Sequence, residues 1–131
     1  MAAGILADGL SSRISKALVY DTTLCTDVNA FMFSAEISGL FVVQATARPG
    51  SSLLEIERVI GEQIAALAAS GPTQAELDRA RTKHEFTFVS GLERIGGFGG
   101  KADLLNQYNV FLGDTGKLNA DMTRYRSLTT D

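Results

Sequence analysis

Two helix-start motifs around a Gly-Pro pair constrain the fold of this chain more than any other sequence feature. Ser52–Glu55 and Thr73–Glu76 each have the capping-box pattern, in which a hydroxyl residue and a later Glu satisfy free backbone amides at a helix start. Gly71-Pro72 lies between them and is typical of a helix end. The pattern predicts two long helices joined by a short turn. Each has an apolar stripe at helical spacing, Ile56, Ile60, Ile64 and Leu67 in the first and Leu77, Ala80, His84, Phe88 and Leu92 in the second.

Two segments before these helices have the composition of paired β-strands. Cys25–Ser34 and Leu40–Arg48 are rich in β-branched and aromatic residues, and a short turn separates them. In the second segment, alternate residues are apolar, which predicts a hairpin with one covered face. Further upstream, apolar residues at helical spacing from Ile5 to Tyr20 predict one helix of about four turns.

The C-terminal part predicts two more helices. Lys101–Leu112 and Lys117–Arg126 follow the glycine-rich segment Gly96–Gly100 and the turn Gly113–Gly116. The order α-β-β-α-α-α predicts an α+β fold, with helices packed on one face of an antiparallel or mixed sheet. Two strands make a thin sheet for so many apolar helical residues. We therefore expect residues 1–131 to form a single partial domain, truncated at its N-terminus, that obtains strands from elsewhere.

Charge and composition exclude several classes of function. Twelve Lys and Arg against fifteen Asp and Glu give a net charge of −3, which disfavours nucleic-acid partners. No apolar run approaches the roughly 20 residues of a membrane span, and the N-terminus lacks the basic region of a signal peptide. A single Cys and a single His exclude an internal disulfide and any zinc site that needs two imidazoles from this chain.

The motifs that could carry chemistry are incomplete. Gly96–Lys101 resembles a phosphate loop. However, Ala102 stands where the motif needs Ser or Thr, and a predicted helix rather than a strand precedes the glycine-rich segment. A tight break between helices is therefore favoured over a nucleotide site. His84 begins an H-E-x-x-H pattern that ends in Phe88, which favours a structural histidine. Cys25 has no neighbouring base and is expected to be a buried, inert thiol. The residues predict no catalytic and no metal-binding side chain, and they leave substrate-binding residues unknown.

Two blocks of the sequence resemble a known family. Leu6–Ile14 is similar to the L-x-x-G-L-S-S-R-L helix of the pitrilysin/insulinase-like zinc metallopeptidases. Gly71–Ala80 resembles their G-[VP]-T-x-x-E-L-x-[RK]-A segment, and Gly91–Arg94 and Leu105–Tyr108 resemble segments of bacterial long-chain members. The resemblance covers nearly the whole chain.

The resemblance implies a fold of the LuxS/mitochondrial processing peptidase-like type, in which repeated α+β domains form two halves that close around an unfolded peptide. One domain of such an enzyme holds zinc with an inverted H-x-x-E-H motif. This chain lacks that motif and resembles the C-terminal two-thirds of a non-catalytic domain. The implied function is a chamber-forming, substrate-enclosing domain, inactive alone, with zinc in the catalytic domain of the parent. A structural or assembly subunit with no peptidase role is the alternative.

The resemblance also bears on site residues, partners and location. Many members carry an Arg directly after the first helix's last Leu and a Tyr seven residues later, which reach the active site of the partner half. The matching positions are Val19 and Thr26, with Tyr20 one residue out of register, so no catalytic residue is carried over. Expected partners are a catalytic peptidase domain or subunit, a peptide along the edge Leu40–Arg48, or a second copy in a homo-oligomer. Bacterial members of this type imply a periplasmic location.

Overall fold

The computed structural model describes residues 1–130, which form two compact units, residues 1–77 with Thr130 and residues 78–129. The elements in chain order are α1 (Ala2–Ala7), α2 (Arg13–Ser15), which continues as a π-helical segment (Lys16–Asp21), β1 (Cys25–Ser34), β2 (Gly39–Ala47), α3 (Leu53–Ser70), α4 (Gln74–Glu93), α5 (Lys101–Leu112) and α6 (Lys117–Arg126). No helix in residues 1–130 is long and apolar enough to cross a membrane.

The two strands form the predicted antiparallel hairpin. Ala30 lies opposite Val43 and Ser34 opposite Gly39. The register shifts between Cys25 and Asp27, where Thr26 is an extra residue opposite Thr46. Within residues 1–130 the sheet has these two strands. The α+β class with an antiparallel sheet is thus confirmed.

Helices cover one face of this hairpin and form the core of the first unit. The side chains packed together there come from α1, α2, the π-helical segment, both strands and α3. Its buried members are Leu6, Ala7, Ile14, Leu18, Cys25, Val28, Ala30, Ile56 and Val59, and Val43, Ala45 and Ala47 of β2 pack against them. The alternation predicted for the second strand is correct for Val43, Ala45 and Ala47, which face this core, whereas Phe41 near the hairpin turn is exposed.

The predicted continuous helix from Ile5 to Tyr20 is wrong. The chain leaves the helix after Ala7 and turns at Gly9, whose φ of +93° is open to glycine and strained for other residues. The Ser12 hydroxyl and amide both donate to the Gly9 carbonyl, at 2.7 and 3.2 Å. These local bonds replace helical ones, so Gly9 and Ser12 together break the helix.

Both predicted helix-start motifs lie at helix N-termini, and the second forms a complete capping box. Ser52 Oγ accepts from the Glu55 amide at the start of α3, whereas the Glu55 carboxylate accepts from Arg58. At the start of α4 the Thr73 amide donates to Glu76 Oε2 at 2.8 Å and the Glu76 amide donates to Thr73 Oγ1 at 3.3 Å. The α3 helix ends at Ser70, directly before Gly71.

An ion pair reinforces this turn between the helices. Arg13 Nε and Nη2 donate to the two carboxylate oxygens of Glu76, each at 2.7 Å. Nη2 also donates to the Gly71 carbonyl at 3.1 Å. One guanidinium therefore binds both the end of α3 and the start of α4.

The second unit consists of the helical residues 78–93 of α4 with α5 and α6. Tyr108 of α5 donates its hydroxyl hydrogen to Asp121 of α6 at 2.7 Å. The His84 ring lies 4.0 Å from the Tyr125 ring, and Arg126 forms an ion pair with Glu85. These contacts connect all three helices of the unit.

Candidate functional site

A cleft of about 160 Å³ lies beside the start of β1 in the first unit. The turn after α1, the end of α2, the π-helical segment and the first residues of β1 form its walls. The lining residues are Gly9, Leu10, Ser15, Val19, Tyr20, Thr26, Asp27 and Val28.

Several irregular backbone features surround this cleft. Residues Lys16–Asp21 are π-helical, a conformation that is rare and is frequently found at functional sites. Thr23 has a φ of +53°, an uncommon and strained conformation for a β-branched residue. The bulge at Thr26 redirects the side chains at the start of β1. Since strained backbone concentrates at binding and catalytic sites, the cleft is a candidate site in the first unit.

The cleft brings together the two positions that the family resemblance singled out. Val19 and Thr26 are seven residues apart in sequence and line the same cleft. Neither side chain can act as a general base or stabilise negative charge as an Arg could. Tyr20, about half exposed, and Asp27 supply the polar groups instead. This lining suits binding better than bond breaking.

Sequence reasoning missed two residues of this cleft. Leu10 belongs to the apolar periodicity that predicts one helix from Ile5 to Tyr20, yet it is exposed and lines the cleft. Asp27 reaches the cleft through the bulge at Thr26, which shifts the strand by one residue. The sequence signal that was available is Gly9, because a glycine with serines two and three residues later, Ser11 and Ser12, favours a turn over a helix.

The described residues do not fit a zinc site. Within residues 1–130, no group of three or more His, Cys, Asp or Glu side chains is placed to hold a metal ion. His84 is half-buried against Tyr125, and burial lowers its pKa. Cys25 is fully buried in the core of the first unit, and burial raises the pKa of its thiol. Both are placed as structural side chains.

The glycine-rich segment Gly96–Gly100 has the geometry of a tight connection. A Cβ on Gly100 would lie 2.5 Å from the Gly96 carbonyl oxygen. The Gly99 amide, which a phosphate would need, donates to Asp103 Oδ2 at 2.8 Å. A carboxylate at this place also repels an anion. The loop therefore favours a packed helix junction over a phosphate site.

A second surface feature of the first unit is the apolar hairpin end, where large side chains are exposed on both faces of the sheet. Its members are Phe31, Met32, Phe33, Ile37, Leu40 and Phe41. Contiguous exposed apolar surface of this kind marks interaction sites in soluble proteins.

Comparison with known proteins gives matches to zinc protease domains. The sequence profile described as the peptidase M16 inactive domain matches residues 1–83. The fold is similar to a presumed zinc protease from Bordetella pertussis Tohama I, with a TM-score of 0.80, 26% identity and coverage of 99% of this chain and 69% of that one. The inactive peptidase domain of a presumed zinc protease from Bordetella parapertussis gives a TM-score of 0.82 and 26% identity, with coverage of 99% and 68%.

A more distant likeness extends the fold comparison. A protease from Helicobacter pylori has a TM-score of 0.83 at 22% identity, and the match covers 98% of this chain and 30% of that one. At this identity the likeness shows the fold alone. No curated protein matched. The profile covers well over half of the sequence, and the resemblance to a non-catalytic domain of zinc metallopeptidases is thereby confirmed. The chain belongs to the peptidase M16 inactive domain family.

Proposed function

We propose that this chain is a non-catalytic domain that forms part of the wall of a peptide-enclosing chamber and pairs with a catalytic zinc peptidase domain. The observation that carries the proposal is the match of residues 1–83 to an inactive peptidase domain. In this arrangement the partner domain holds the zinc and supplies the chemistry of peptide hydrolysis. The described residues of this chain supply surface and peptide contacts.

The surface of the first unit supports such pairing. The apolar hairpin end exposes three phenylalanine side chains, of which Phe33 is 65% exposed. The hairpin has two strands in residues 1–130, so each strand has one edge whose backbone groups are open to another strand. The β2 edge can accept an extended peptide by strand addition. Both features favour a domain that binds another protein surface.

The test combines this chain with the H-x-x-E-H peptidase encoded in the same reading frame or a neighbouring gene. We expect the chain alone to bind no stoichiometric zinc and to leave an unstructured fluorogenic peptide intact. Mixed with the catalytic domain, it should form a complex in size-exclusion chromatography and raise the rate of hydrolysis. Absence of any complex with such a peptidase would contradict the proposal.

A matched pair of variants tests the docking surface. Phe33→Asp at the apolar hairpin end should abolish stimulation, because a carboxylate would be buried against the partner. Leu53→Asp places the same charge at a residue 71% exposed at the start of α3 and should retain stimulation. Equal effects of the two variants would exclude the hairpin end as the contact surface.

The alternative role as an assembly subunit predicts a different outcome in the same experiment. A complex would form, but the rate of peptide hydrolysis would not change. Light scattering of the isolated chain tests self-association, since a homo-oligomer would have a mass above 14.0 kDa. We further propose a periplasmic location, supported by the family resemblance alone, which cell fractionation of the source organism tests.

A further inference from the structure

We propose that the cleft beside the start of β1 binds one basic side chain, a lysine or an arginine, of an extended peptide. The inference rests on the proposed function, because this peptide is the one that the chamber would enclose. It adds a preference for substrate sequence that family membership does not supply.

The residues that line the cleft have groups that can bind a basic side chain. Leu10 and Val19 supply aliphatic surface for the methylene stem of a lysine or arginine. Tyr20 supplies an aromatic ring, which attracts a cation over its face. Asp27 supplies a carboxylate for the charged end.

Three cations of the first unit donate hydrogen bonds to groups other than Asp27. Lys16 Nζ donates to Asp21 at 2.7 Å. Arg48 Nε donates to the Cys25 carbonyl at 3.2 Å. Arg13 is bound to Glu76. Among the eight described residues that line the cleft, Asp27 is the charged one, so its carboxylate sets the sign of the charge that the cleft favours.

The size of the cleft also fits one side chain. The cleft has a volume of about 160 Å³, which accepts one long side chain. The bulge at Thr26 lies beside the cleft and redirects the side chains at the start of β1. A peptide that passes the start of β1 would therefore place one of its side chains in the cleft.

The experiment measures binding of labelled ten-residue peptides to the full 131-residue chain by fluorescence anisotropy. The peptides differ at one central position, which is lysine, norleucine or glutamate. We expect the lysine peptide to bind about fivefold more tightly than the norleucine peptide, as for a partly exposed ion pair of about 1 kcal/mol. The preference should fall with added salt.

Variants assign the preference to the cleft. Asp27→Asn should remove the discrimination between lysine and norleucine, and Asp27→Lys should reverse it in favour of glutamate. Glu36→Gln is the matched control, since it removes an exposed carboxylate from the turn at the other end of the same hairpin. It should keep the wild-type preference.

The outcomes separate this inference from the proposed function. Equal binding of the lysine and norleucine peptides, no binding of any peptide, or an unchanged preference in Asp27→Asn overturns the assignment of the cleft. Stimulation of the catalytic domain is a separate measurement and can persist in each of these cases. A lysine preference assigned to Asp27 but without stimulation of that domain would support the cleft and contradict the chamber role.

Discussion

Replacing Glu76 with glutamine should lower the free energy of unfolding by about 1–2 kcal/mol at pH 7. Hydrogen bonds from the Arg13 guanidinium to both carboxylate oxygens, with smaller contributions from the Thr73 amide and hydroxyl, lower the pKa of Glu76 from 4.5 to about 2. At about 1.4 kcal/mol for each pKa unit, this difference sets an upper limit of about 3 kcal/mol. Each side chain of the pair is 16% exposed, and screening by solvent reduces the expected value below that limit.

The substitution separates the ion pair from the helix cap. Glutamine keeps an oxygen that can accept from the Thr73 amide, so the capping box at the start of α4 is retained. The lost stability then reports on the charge interaction with Arg13. A double-mutant cycle with Arg13→Met measures the coupling between the two residues.

The pH dependence provides an independent check. The pKa of Glu76 in the folded chain lies below its value in the unfolded chain, so the stabilisation is complete above about pH 4.5 and is lost as the pH falls towards 2. Urea unfolding followed by far-UV circular dichroism at several pH values measures this. The difference between wild type and Glu76→Gln should narrow between pH 5 and pH 2.

Glu57→Gln is the control, because Glu57 is exposed on the neighbouring helix α3. It should change stability by less than about 0.5 kcal/mol. The reasoning is refuted if the two variants lose the same stability, or if the difference between wild type and Glu76→Gln is independent of pH.

Three further predictions concern single residues. Gly9→Ala should lower the free energy of unfolding by about 1–2 kcal/mol because φ is +93° at this position. Gly61→Ala within α3 should raise it by up to about 1 kcal/mol. Urea unfolding measures both changes, and changes of the same sign would contradict this reasoning. Cys25 should react with a chromogenic disulfide reagent far more slowly in the folded chain than in urea, since it is buried and burial raises its pKa; equal rates would contradict its placement in the core. Burial and the hydrogen bond to Asp121 raise the pKa of Tyr108 to about 12, so its stabilising contribution should fall as the pH rises above 10. An ultraviolet titration should show a tyrosine that ionises near pH 12 in the wild type and at lower pH in Asp121→Asn.

The sequence predicts the helix ends well where a local signal fixes them. Ser52, Thr73 and Gly71 act through bonds or backbone conformations within a few residues, and α3 begins and ends, and α4 begins, where these residues predict. The hairpin is predicted for the same reason, because the turn and the alternation of β2 are local properties.

The break after α1 was not predicted, because apolar periodicity reports which side of a segment faces the core and not whether its helical hydrogen bonds are continuous. Leu6, Ile14 and Leu18 all lie in the core although the helix is interrupted between them. The cleft depends on a π-helical segment and a bulge, each of which changes the register by one residue. Neither has a sequence signature as specific as a capping box. The sequence therefore does not predict that Val19 and Thr26 line the same cleft, which the structure shows.

The apolar hairpin end has a consequence for the chain during its synthesis and purification. Three phenylalanines and two open strand edges in one hairpin are features that promote aggregation. The rate of self-association depends on the square of the protein concentration. Docking of a tethered partner surface on the apolar hairpin end would instead be first order in protein concentration. Dilution should therefore preserve the isolated chain, and concentration should shorten the time for which it stays monodisperse.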